Sequence, residues 1–149
     1  MAVSSEVAEI IRRKMSQYCR LADTRQLHLF DKVALPGATF KYVGADSSVI
    51  HENGVDYIFD NREAFCTFFH NAFETIQVIH SVGPGELEQI GPDEVKAIFT
   101  VIYHAGPKGT DVKNHGTGGG HYYGTWRREG DDWFMAALYM QRTYWITRD

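Results

Sequence analysis

No stretch of the 149-residue chain approaches the ~18 to 20 consecutive apolar residues that a membrane span requires. The opening Met1-Ala2-Val3-Ser4-Ser5-Glu6 has no basic region followed by an apolar core, so no secretory leader is expected. Positive charge is not in surplus: 15 Lys and Arg against 19 Asp and Glu leave a formal net charge of -4. Neutralising nucleic-acid phosphates needs clustered basic side chains, and late in the chain only Arg127-Arg128 are adjacent. Neither nucleic acid nor membrane is therefore expected as a partner. Cysteine is scarce. Cys19 and Cys66 have no CxxC spacing, and they read as buried, reduced thiols of a cytoplasmic protein. Repeats, linkers and low-complexity tracts are missing apart from Gly118-Gly119-Gly120, so residues 1–149 are expected to form one domain.

Aromatic residues, by contrast, are plentiful. Eight Tyr, nine Phe and three Trp make up 13% of the chain. They imply a dense core or a pocket lined by rings, and the difference lies in where the tyrosine hydroxyls point.

Residues 4–23 read as an amphipathic helix, with Val7, Ile10, Ile11, Met15, Tyr18, Leu21 and Ala22 at helical spacing. Ser4 or Ser5 can cap it. Thr24 looks like the cap of a second, shorter helix through Leu27, Phe30 and Val33, ended by Pro36-Gly37. Strand signals follow at 39–43, 49–51 and 55–59, the last two joined around Asn53-Gly54, a hairpin turn signal. Asp60-Asn61 precede a third helix with Phe65, Phe68, Phe69 and Phe73 on one stripe. Strands are then expected at 76–82, 87–90, 94–104, 121–128 and 133–145, with 105–120 as a glycine-rich loop. Helices first and strands afterwards give an α+β plan: three helices on one face of a curved mixed or antiparallel sheet, enclosing a pocket.

Strand alternation places Ala97, Phe99, Val101 and Tyr103 inward and His104 outward. It places Tyr122 and Trp126 inward, and Phe134, Ala136, Leu138, Met140 and Arg142 on one face, where an inward Arg142 needs a partner or the pocket mouth. His80 shares a face with Ile76, Val78 and Val82, where an imidazole can move protons near neutral pH or simply bond a backbone carbonyl. A buried Asp23 would need a partner, and histidine is a natural one. At ~100° per residue, however, Asp23 falls well away from the Val7–Tyr18 stripe unless the helix ends near Ala22.

These residues resemble the scytalone dehydratase-like group of the SnoaL-like, nuclear-transport-factor-2-like superfamily of cone-shaped α+β domains. The similarity covers about residues 5–145. It rests on Tyr18-Cys-Arg-Leu-Ala-Asp23, Phe40-Lys41-Tyr42, His80 followed by Glu94-Val95, and Trp126-Arg-Arg-Glu-Gly-Asp-Asp-Trp133. Where the dehydratases carry a second tyrosine and a second histidine, this chain has Ala22 and Ala105, and their pocket serine and asparagine are Gly120 and Tyr122.

The resemblance implies catalysis by acid and base alone, without a cofactor. His80 would carry the proton, Asp23 would orient it or act as base, and Tyr42 would polarise a carbonyl. Tyr18, Phe40, Phe69, Tyr103, Tyr122, Trp126 and Met140 would line the site. The implied chemistry is dehydration, isomerisation or cyclisation of a small cyclic, carbonyl-bearing product of polyketide or terpenoid secondary metabolism.

Two rival readings remain at this stage. One is a binding module without catalysis. The other is a metal enzyme using His104, His115 and His121, residues on and at the ends of the glycine-rich loop. The outer sheet face, with Ile98, Ile102, Tyr123 and Trp133, suggests a homodimer or homotrimer.

Overall fold

The structure of the chain is a computed structural model, and it describes residues 1–109 and 113–148. Helix α1 (Ser5–Asp23) is capped by Ser4, whose hydroxyl accepts from the Val7 N–H at 3.2 Å. Glu6 in its first turn and Arg20 in its last both suit the helix dipole. Thr24 does not start a new helix. It closes α1, its N–H and its hydroxyl both donating to the Arg20 carbonyl. A 3-10 helix then spans Leu27–Lys32. Strand β1 (Ala34–Val43) already includes Pro36-Gly37, which sit in a bulge instead of ending a helix.

Strands β2 (His51–Glu52) and β3 (Val55–Asp56) form a hairpin. Asn53 and Gly54 turn it with φ of 54° and 75°, both left-handed, as such a turn requires. After β4 (Ile58–Phe59), Asn61 caps α2 (Arg62–Ala72) by accepting from the Ala64 N–H at 2.8 Å. The rest is strand: β5 (Ile76–Val82), β6 (Glu86–Gly91), β7 (Glu94–Pro107), β8 (His115–Glu129) and β9 (Asp132–Arg148).

The main sheet runs β4-β1-β9-β8-β7-β5, with β6 beside β5 along the other half of β7. All its pairings are antiparallel except β1 with β9. Helix α1 packs on β5 and β9, and α2 packs on β1. The result is the expected α+β cone, with helices closing one face of a bent mixed sheet. Among the described residues no helix is long and apolar enough to cross a membrane.

Two departures from simple alternation shape the inside of the cone. The expected loop at 105–120 is mostly strand, because β8 begins at His115. Its glycines admit rings where side chains would stand: a Cβ on Gly118 would come 2.6 Å from the Tyr103 ring. Tyr103 and Trp145 stack there with centroids 5.6 Å apart. Trp133 is also not on the outer face. A register shift at Thr125/Trp126 turns Trp133 and Met135 into the core, and Trp133 keeps only 3% exposure.

Candidate active site

His80 faces inward from β5, as alternation expects, beside Ile76 and Val78. One edge of β5 pairs with β7 and the other lies against α1. Edge strands leave main-chain groups unpaired. The polar flank of α1 satisfies two stretches of this chain. Arg12 Nε donates to the Pro84 carbonyl at 2.6 Å, and the Asp23 carboxylate accepts from the His80 main-chain N–H at 3.1 Å.

The other oxygen of Asp23 lies 2.5 Å from His80 Nδ1. An ionised carboxylate only accepts, so the proton of neutral imidazole sits on Nδ1 and the lone pair on Nε2. Both side chains are largely buried, 12% exposed for His80 and 16% for Asp23. Helical spacing had pointed Asp23 away from the core, and α1 does run through Asp23. What brings it into play is β5 covering the flank that the apolar stripe leaves bare.

Next to this pair, three phenols converge. The Tyr18 and Tyr42 hydroxyls share a short hydrogen bond. The Tyr122 ring meets Tyr18 edge-on with centroids 5.3 Å apart. Burial pushes all three phenols well above their ordinary value, and they raise one another further by mutual repulsion of their charged forms. They therefore stay protonated and serve as donors. The main chain of Tyr42 is fixed by bonds to Tyr57 and Ile50, 2.9 and 3.0 Å long.

A cavity of about 180 Å³ opens here, walled by Tyr42, Phe69, His80, Tyr103, Tyr122 and Met140 among others. A smaller recess of about 50 Å³ continues inward past Tyr18, Phe65 and Ala22. Ala105 lines the wall, and His80 is the imidazole that faces the space. At the mouth, Arg142 Nε donates to the Tyr103 hydroxyl at 2.9 Å, and Nη2 stands 3.5 Å from Glu52. Burial raises the Tyr103 phenol, and Arg142 opposes that rise.

Two expected lining residues are elsewhere. Phe40 is 1% exposed and stacks on Phe65 with centroids 4.0 Å apart, so α2 covers it as core. Trp126 is fully buried. It lies four residues beyond Tyr122 on β8, about 13 Å further along the strand, past the end of the cavity.

The histidines of the metal reading lie apart along the sheet. Register sets His121 opposite Thr100 and His104 opposite Thr117, whose hydroxyl lies 3.0 Å from His104 Nδ1. Among the described residues no three metal-binding side chains come together.

Sequence reading missed Glu52, Tyr57, Phe73 and Trp145 as wall residues. Tyr57 and Glu52 sit on or beside a short hairpin whose inward side depends on tertiary packing. Trp145 was visible only as a strand aromatic. A larger groove of about 550 Å³ lies on the outer sheet face, lined by Lys41, Ile58, Asp60, Lys96, Ile98 and Tyr123 among others.

The SnoaL-like domain family matches residues 4–139. "Probable cyclase FGR4" of Gibberella zeae is 52% identical over 145 residues, spanning 97% of each chain. A candidate scytalone dehydratase from Novosphingobium aromaticivorans is similar in fold, with a TM-score of 0.75, 13% identity, and coverage of 95% of this chain and 87% of that one. Hexachlorocyclohexane dehydrochlorinase LinA-type3 of Novosphingobium barchaimii gives 0.73 at 15% identity, covering 93% and 88%. At such identities the likeness speaks for the shared nuclear-transport-factor-2-like cone alone. Through the match over most of its length and its half-identical relative, the chain belongs to the SnoaL-like domain family.

Proposed function

We propose that the protein is an acid–base enzyme of the lyase or isomerase kind, working without a cofactor on a small cyclic, carbonyl-bearing natural product. The observation that carries this reading is one carboxylate-bound imidazole beside a cluster of protonated phenols, in a cavity walled largely by aromatic and aliphatic side chains. His80 Nε2 takes a proton from the carbon next to the substrate carbonyl. The C–H electron pair moves into an enolate, and Asp23 offsets the charge of the new imidazolium. Tyr42, backed by Tyr18 and Tyr122, donates to the enolate oxygen. His80 then returns its proton to the product.

One base and one donor suffice for double-bond migration or ring closure. A strict dehydratase in the manner of the scytalone enzymes uses a second histidine, and that position is Ala105 here. The relative described as a cyclase favours ring closure within a polyketide- or terpenoid-derived pathway. Phe69, Tyr103 and Met140 give the ring apolar contact. The exposed outer-face residues Ile102 and Tyr123 support self-association as a homodimer or homotrimer. Sedimentation analysis checks it, and a monomer at all concentrations overturns it.

Mass spectrometry of hydroxylated cyclic ketones incubated in D₂O tests the chemistry. Deuterium uptake or an isomer of unchanged composition, absent with His80→Ala, is the expected result. Loss of water that depends on His80 would make the enzyme a dehydratase. Chemistry that survives in His80→Ala would overturn the site.

A further inference from the structure

Arg142 is the cationic group of the cavity wall, and the chemistry above leaves it idle. Its side chain is 17% exposed, and the guanidinium lies over the Trp145 ring at 5.6 Å from its centroid. Guanidinium carries five N–H donors in a rigid fork. Among the described residues only Nε makes a hydrogen bond, to Tyr103. The ion pair to Glu52 is long, at 3.5 Å, and the Glu52 side chain is 45% exposed on the β2–β3 hairpin. Such a half-solvated pair is weak and exchangeable. The outer edge of the fork is thus free to receive a bidentate anionic acceptor at the mouth of a pocket.

The opposite end of the cavity has the contrary character. Tyr18 and Tyr122 are buried and Tyr42 is partly buried, all neutral phenols, a place suited to a carbonyl and costly for an anion that arrives already charged. His80 lies between the two ends, its ring 5.6 Å from that of Tyr103.

We infer that Arg142 anchors an acidic oxygen on the substrate, either a carboxylate or the enolate of a 1,3-dicarbonyl. Tyr103 holds the guanidinium in position. Glu52 occupies the fork when no ligand is bound and yields it on binding. The substrate class is then a ring ketone with a second, ionised oxygen function at the end away from the reacting carbonyl. This rests on the cavity being the substrate site. It does not rest on His80 turning the substrate over.

Binding of two matched pairs, followed by calorimetry at neutral pH, tests it. The first pair is 4-oxocyclohexane-1-carboxylate and its methyl ester. The second is 5,5-dimethylcyclohexane-1,3-dione, ionised in this range, and its uncharged enol methyl ether. At least one anion is expected to bind about tenfold or more tightly than its neutral partner. The pair that shows the preference identifies the source of the charge.

Arg142→Gln should erase the preference, and Arg142→Lys should keep part of it. Glu52→Gln, at an exposed position, should strengthen anion binding by removing the competitor. Because His80→Ala should leave the preference intact, loss of turnover and loss of anion binding are separate outcomes. Equal binding within both pairs, no binding at all, a preference that survives Arg142→Gln, or weaker anion binding in Glu52→Gln would each overturn the assignment.

Discussion

The Asp23 carboxylate engages His80 twice, at the main-chain nitrogen and at Nδ1, at 3.1 and 2.5 Å. The first contact fixes where the strand carries the residue. The second fixes which ring nitrogen bears the proton. Asp23→Asn keeps the shape but removes the charge that favours this tautomer and the imidazolium. On a substrate that the D₂O experiment identifies, Asp23→Asn and His80→Ala should each lower kcat/KM by ~10²- to 10⁴-fold. The double variant should be no worse than the weaker of the two, because the residues act as one unit.

Tyr42→Phe removes the hydroxyl proposed to donate to the substrate carbonyl and should cost ~10²- to 10³-fold in kcat. Tyr18→Phe acts only through Tyr42 and should cost less. Steady-state kinetics on the two variants checks the order, and a larger loss in Tyr18→Phe would reverse the assignment of the direct donor.

Alkali should unfold the protein through the same phenols. Tyr18, Tyr42 and Tyr122 are held well above 10.0 by burial, and Tyr57 is pushed up to about 12. Below pH 10 both folded and unfolded chains keep these protons, so their contribution to stability is complete. Above it the unfolded chain releases them while the fold retains them, and stability falls as pH rises. Phenolate absorbance of the buried tyrosines should therefore appear together with loss of structure by circular dichroism. Full ionisation of all eight tyrosines in a still-folded protein would contradict this.

The thiols should be inert in the native state. Burial pushes Cys19 up to about 12, with the Asp23 charge adding to it, and Cys66 up to about 11. A thiol reagent near neutral pH should modify neither at an appreciable rate until denaturant is added. Rapid labelling of Cys19 in the folded protein would be the contrary result.

Gly118→Ala places a methyl group 2.6 Å from the Tyr103 ring and 2.8 Å from Trp145. Moving both rings should cost about 1–3 kcal/mol, visible as a lower Tm. Tyr103 then shifts against Arg142, so ligand binding should weaken as well. An unchanged Tm would mean that the stacked pair gives way freely.

Much of this was readable from the chain. The Asn53-Gly54 turn, the span of β5, the inward His80 and the inward Arg142 all follow from local pattern, since alternation in a strand needs no knowledge of its neighbours. The failures share a cause, which is that a partner element decides the outcome. Asp23 is polar on the polar side of a helix, and only the curl of β5 over that side gives it a task. Gly116 to Gly120 read as a loop because glycine carries no pattern, while in the fold its bareness makes room for Tyr103 and Trp145. Trp133 was assigned the wrong face because a bulge breaks the period of two. Glu52 reaches Arg142 across 90 positions of sequence, which no local rule encodes.

The parallel pairing of β1 with β9 sets Tyr42 opposite Met140, joining distant parts of the chain in one ladder. Closing so long a loop carries an entropic cost that is met only once many other contacts exist. Docking of β1 on β9 is therefore expected to come late in folding, and the cavity lacks its Tyr42 wall before it. A chain that has formed α1 and the β5–β9 hairpins is expected to bring Asp23 to His80 already, while that wall of the cavity is still missing. Ligand affinity in this protein should thus report completion of the fold, and a tight ligand should slow unfolding by holding that last-formed pairing closed.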